Sequence, residues 1–216
     1  MRVYVFALVA FVGACKAGAT QGQKELEDLS AQIAKLSSQL EEGKADLQQT
    51  MAEHDAIVNN KDGDFVGHFK KFSKGIERVE KGREGVRSRV QKVKDAAAPY
   101  FTRWKDDNVK ITDPGLRERD AKNMEATRVR YDEIYKRGDE AKAAYEPLMV
   151  TLRNHHQFWA NNLNATSAAQ MKGDSEALDK NANALYGLID KVVETAKKYN
   201  QSVALRAKPQ PPAEPK

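Results

Sequence analysis

Apolar residues recur at alternating steps of three and four along most of the chain. The first run is Leu26, Leu29, Ile33, Leu36, Leu40, Gly43 and Leu47, continued more weakly by Thr50, His54 and Ile57. That spacing is a heptad pattern, which winds one apolar seam along a helix. Asn59-Asn60-Lys61-Asp62-Gly63 interrupts it with turn-forming residues, and Asp64 is placed to cap the next helix. The second run is Phe65, Phe69, Phe72, Ile76, Val79, Arg83, Val86, Val90, Val93, Ala97, Tyr100 and Trp104, from which Arg83 alone departs. Asp113 followed by Pro114 is a strong helix start, an N-cap with proline in the first turn. The third run is Met124, Thr127, Tyr131, Ile134, Gly138, Ala141, Tyr145, Leu148, Leu152, His155 and Trp159, and it is weak at its beginning. Asn161 to Asn164 marks a boundary, a short segment reaches Met171, and Lys172-Gly173-Asp174 restarts a helix. The last run is Leu178, Ala182, Leu185, Ile189, Val192, Ala196, Tyr199 and Val203.

Four long helices joined by short connections pack as antiparallel neighbours. The pattern therefore predicts an all-α fold, an elongated antiparallel helical bundle or coiled coil of about four helices. At 1.5 Å per residue such helices are about 60 Å long, so the expected shape is a rod. Pro99 and Pro147 fall inside the second and third runs and are expected to kink or bend them.

Charge sharpens the pairing. Residues 24–64 carry four Lys against ten Asp and Glu, a balance of -6. Residues 66–94 carry ten Lys and Arg against three Glu, a balance of +7. A hairpin about the Asn59–Gly63 turn cancels most of that imbalance, the ordinary use of charge beside a coiled-coil seam. The basic stretch is also what an anionic lipid, a cell-wall polymer or a nucleic acid would meet. The whole chain is only mildly basic, at +5 over 216 residues.

The first residues carry a separate message. Val3 to Ala14 is an uninterrupted uncharged run behind Arg2. Twelve helical residues span about 18 Å, short of a hydrocarbon core of about 30 Å, which suits a secretory signal better than a permanent span. Val12-Gly13-Ala14-Cys15 resembles a bacterial lipobox, and Cys15 is the one cysteine of the chain. Residues 1–14 then read as a lipoprotein signal peptide, Cys15 as the acylated residue and residues 15–23 as a tether. Residues 24–203 are the helical domain, and residues 204–216 a proline-rich disordered tail. A lone cysteine excludes an intrachain disulfide and a cysteine-rich zinc site. Export also argues against nucleic acid as a partner.

Candidate chemistry is sparse. His155 and His156 are adjacent, so on a helix they point about 100° apart and do not converge on one metal. His54 and His68 are remote from them in sequence. No phosphate loop, nucleophile elbow or acid–base dyad is present, so no catalytic residue, metal site or cofactor is assigned. Trp104, Trp159, Asn162 and Asn164 are candidates for an interaction surface or for setting register between helices; the asparagines serve either as caps or as buried polar pins. Phe65, Phe69 and Phe72 are a candidate membrane-insertion surface.

Phe101-Thr-Arg-Trp104, Arg128-Val-Arg-Tyr131, Ala144-Tyr-Glu-Pro147-Leu148 and Asn161-Asn-Leu-Asn164-Ala together resemble a bacterial family, the domain of unknown function 2959. The resemblance covers roughly residues 24–203. Asn161 stands where the family pattern has histidine, and the proline tail is additional. The resemblance implies an all-helical envelope protein and supplies no activity. The sequence thus leads to a non-enzymatic rod anchored on the periplasmic side of a membrane, the outer membrane being the expected one. Its role would be to scaffold a protein partner that the sequence does not identify, with self-association left open. The alternative is a membrane-active or lipid-handling helical protein.

Overall fold

A computed structural model describes residues 20–207. Residues 1–19, on which the expected signal peptide and Cys15 fall, and the stretch from Lys208 onward lie outside the described residues. Five helices follow in order: α1 (Gln21–Val58), α2 (Phe65–Asn108), α3 (Pro114–Asn161), α4 (Ala165–Gln170) and α5 (Lys172–Ala207). The four long ones are 36–48 residues, hence about 54–72 Å. They form the expected antiparallel bundle. Each long helix packs on the next, α5 closes the ring against α1, and α1–α3 and α2–α5 lie across the diagonals.

Local signals set the ends. Thr20 and Gln23 form a capping box, so α1 begins inside the stretch read as tether. Asp64 and Asp113 cap α2 and α3 through Gly67 N–H and Leu116 N–H. Gly63 turns the α1–α2 loop with a φ of 80°, which a side chain would resist, and its N–H bonds Asn60 Oδ1 at 2.7 Å. At the far end α5 runs to Ala207, into the stretch assigned to the tail. Helices α2 and α3 continue through Pro99 and Pro147. Both prolines are exposed, so the carbonyls they leave unbonded reach water.

The α1–α2 contact is the most extensive of the ring. Acid on α1 meets base on α2 as the charge balance requires: Arg78 to Asp46 at 3.4 Å, Lys71 to Glu53 at 3.8 Å, and Arg103 to Glu25. The apolar seam beneath these pairs supplies most of the stabilisation, since each exposed pair contributes under about 1 kcal/mol. Aromatic residues fill both ends. Phe72 and Trp159 are fully buried at the α1–α2 turn end. Tyr100, Phe101, Tyr131 and Tyr199 cluster at the other.

Two glycines in this seam should respond oppositely to alanine. A Cβ on Gly75 would collide with Thr50 Oγ1 and stand 3.0 Å from Thr50 Cβ. Gly75→Ala is therefore expected to cost about 1–3 kcal/mol through overpacking. A Cβ on Gly43 meets nothing within 4 Å. Gly43→Ala is expected to add about 0.5–1 kcal/mol by relieving the helical glycine penalty. Urea unfolding of the two variants reads the opposite signs directly.

Candidate functional site: a cavity at mid-height of the bundle

The heptad runs hold large side chains along most of their length and falter at Gly43 on α1, Arg83 on α2 and Gly138 on α3. All three residues line one cavity of about 740 Å³. Gly82, beside Arg83, lines it too, and a Cβ on Gly43, Gly82 or Gly138 would meet nothing within 4 Å. No close helix approach demands these glycines. Each costs about 1 kcal/mol relative to alanine in a helix interior, and together they leave space that leucines would have filled.

The floor is apolar. Leu36 and Leu47 from α1 and Leu185, Ile189 and Val192 from α5 line it, all buried. Leu40, Val86 and Val90 are seam residues left only half-buried. The exposed lining residues belong to α2 and α3: Arg87, Lys94, Asp139 and Lys142. These two helices also make the sparsest contact of the four neighbouring pairs. The mouth therefore lies between them.

Five cations and two anions line the space: Lys44, Arg83, Arg87, Lys94 and Lys142 against Asp139 and Glu146. Arg83 Nη2 donates to Glu146 Oε1 at 2.9 Å, from α2 to α3. Its guanidinium also lies 5.9 Å from the Tyr145 ring centre, and Lys94 Nζ lies 5.4 Å from that of Tyr135. The Tyr145 hydroxyl is buried without a hydrogen-bond partner, and burial raises its pKa to about 12. The cavity thus offers an apolar trough and a positive mouth. An apolar ligand can be desolvated in the trough while an anionic group stays at the rim.

The residues singled out from the sequence lie elsewhere. Phe72 is fully buried, 5.3 Å from the His54 ring and 6.2 Å from that of His156, so it is not at the surface of this fold. Phe65 and Phe69 are half-buried, and Phe69 stacks on His156 at 5.1 Å. Heptad spacing turns the three rings towards the bundle, so they do not form the exposed aromatic face expected of an insertion surface. Trp104 Nε1 donates to Asp120 Oδ1 at 3.0 Å, tying α2 to α3. Trp159 is fully buried, and its ring N–H has no partner. Asn162 caps the end of α3, and Asn164 Oδ1 accepts Ser167 N–H at 3.0 Å at the start of α4. Both asparagines are exposed, so the capping role holds and the buried pin does not. Cys15 lies outside the described residues.

Sequence reasoning noted Gly43, Arg83 and Gly138 one by one but did not bring them together. Hairpin arithmetic was the missing signal. Gly43 and Gly82 stand nineteen and twenty residues either side of Asp62. Arg83 and Gly138 stand twenty-eight and twenty-seven residues either side of Ile111. In antiparallel hairpins, equal distance from the turn means equal height.

Among the described residues no group of three or more His, Cys, Asp and Glu is placed to hold an ion. His54 is fully buried, with Nε2 3.0 Å from His155 Nδ1 and Nδ1 3.4 Å from Ser175 Oγ. Burial, and then the neighbouring His155, lower the pKa of His54 to about 3, and burial lowers that of His155. Both stay neutral in the fold while an unfolded histidine titrates near 6.5. The unfolded chain then gains protons that the folded chain refuses, so stability falls as pH drops from about 6.5 towards 3. His68 acts in the opposite sense, since its bonds to Glu53 and Asp62 raise its pKa. Urea midpoints measured at pH 7.5 and 5.5 should fall with acid, by up to about 1 kcal/mol per pH unit for each buried histidine. His54→Gln should flatten that dependence; an equal fall in the variant would refute the assignment.

Comparison with known proteins returns one family model, described as a protein of unknown function, DUF2959, which matches residues 16–203. Neither the curated proteins nor the solved structures contain a match to the chain. The match spans all four long helices almost completely and includes each residue that lines the cavity. The chain is therefore a member of the DUF2959 family.

Proposed function

We propose that the protein is a non-enzymatic binding protein of the bacterial envelope that holds the apolar part of an amphiphile in its mid-bundle cavity. An acylated Cys15 would anchor it on the periplasmic side of a membrane, the outer membrane by preference. The observation that carries the reading is the cavity itself. Three helices give up core-filling side chains at one height, at a cost of about 1 kcal/mol per glycine, without using the glycines for close packing. Its volume falls within the range of about 300–1,000 Å³ usual for small-molecule sites. No described helix is long and apolar enough to cross a membrane, so attachment in this reading rests on the N-terminal lipid.

A second reading, a spacer that scaffolds a partner protein, is favoured by the rod of 36–48-residue helices. The exposed large apolar residues Val66, Val109, Leu116, Val129 and Val150 lie on α2, α3 and the loop between them. The two readings are compatible, since a tethered rod can hold its cavity at a fixed distance from the membrane.

Filling the cavity separates them. N-phenyl-1-naphthylamine, an uncharged fluorescent apolar probe, should bind the purified protein, and Gly138→Leu should weaken that binding at least tenfold while the far-ultraviolet circular dichroism stays helical. Retention of full probe binding by a folded Gly138→Leu protein would remove the cavity from the account. In cells, Cys15→Ser should shift the protein from the membrane pellet to the soluble fraction or leave it unprocessed. Unchanged anchoring, with no fatty-acid label on the natural protein, would contradict the lipid anchor.

A further inference from the structure

The structure assigns the cavity a specific class of ligand: we propose a single long-chain carboxylate, its acyl chain along the trough and its carboxylate at the α2–α3 mouth. This rests on the reading of the cavity as an amphiphile site and goes further in naming chain number and head group.

The shape of the trough argues for one chain. Its lining runs from Leu36 to Leu47 on α1 and from Val79 to Lys94 on α2. Those spans are about 16 and 22 Å along the helix axes, at 1.5 Å per residue. The space is therefore elongated parallel to the bundle, a form that suits an extended chain better than a fused-ring ligand. No Ser, Thr, Asn, Gln or His lines it, so the only neutral polar side chains in the lining are Tyr135, whose hydroxyl accepts from that of Tyr131, and Tyr145.

The mouth argues for an anion. On α2 and α3 the lining carries four cations, Arg83, Arg87, Lys94 and Lys142, against Asp139 and Glu146, while Lys44 on α1 is paired with Asp190. Lys142 makes no ion pair among the described residues, and Arg87 reaches only Glu84, at 3.3 Å between two exposed side chains. Arg83 already binds a carboxylate at this place, that of Glu146, and a guanidinium fork with one contact made can take a second carboxylate oxygen. Glu146 and Asp139 at the same rim weigh against a doubly charged phosphate head and leave a monoanion the better match.

Displacement of N-phenyl-1-naphthylamine from the full-length protein tests the assignment, with palmitate and hexadecanol as competitors below their aggregation limits. Palmitate should bind at least tenfold more tightly than hexadecanol, and that advantage should shrink with added salt. The double variant Arg87→Gln, Lys142→Gln changes exposed side chains and should narrow the gap between acid and alcohol severalfold. Equal displacement by acid and alcohol would overturn the head-group inference and leave the apolar site standing. Displacement by neither would overturn both. A gap untouched in the folded double variant would overturn the assignment of the carboxylate to this mouth.

Discussion

A four-helix bundle has only its own side chains with which to fill the space between its helices. Where they are large, the helices close on one another and the seam is dry. Where they are missing, the helices splay or a void remains, and the lining atoms lose their dispersion contacts. The fold of this protein obeys the first condition at both ends and the second in the middle. Phe72 and Trp159 pack one end, and Tyr100, Phe101, Tyr131 and Tyr199 pack the other. Between them Gly43, Gly82 and Gly138 supply nothing, and Arg83 turns a core position into a charged rim. The well-packed ends hold four long helices at a distance that the middle alone would not maintain.

Electrostatics works on top of this packing and not in place of it. The acidic α1 and basic α2 select one another and pair along much of their length. The sparse α2–α3 contact is bridged by Arg83 to Glu146 and Arg153 to Glu80. Such pairs are screened by salt and contribute little each, which makes this the side of the bundle best able to open. The α1–α5 side is held by Lys44 to Asp190 and Lys197 to Glu41 above a buried apolar seam. An entrance between α2 and α3 thus coincides with the weakest wall and with the excess of positive charge.

Much of the architecture was legible in the heptad runs, because a seam residue must recur every three or four positions whatever the partner helix. The α1–α2 pairing was legible in the charge balance. Other features depended on facts that periodicity does not carry. Phe65, Phe69 and Phe72 open the apolar run of α2, but how far each is covered was not legible: Phe72 is buried, while Phe65 and Phe69 are half-buried against the core. Asn162 and Asn164 gave a polar cluster whose role turned on whether α3 ended there. It does, so their amides serve helix termini. The cavity was legible only in part, as three irregularities on three helices. Their convergence needed the turn positions to be combined with the runs, because height in a bundle is set by distance from the turn. The family match adds kinship across the bundle without adding chemistry.

The central claim is that the middle of this bundle is left unfilled so that something else fills it. Native mass spectrometry of the protein purified gently from the cells that make it, without delipidation, tests this most directly. The account predicts one long-chain acid retained per chain, released on denaturation and identified in the solvent extract. A folded protein recovered at its chain mass, with nothing bound beyond any covalent modification, would contradict it.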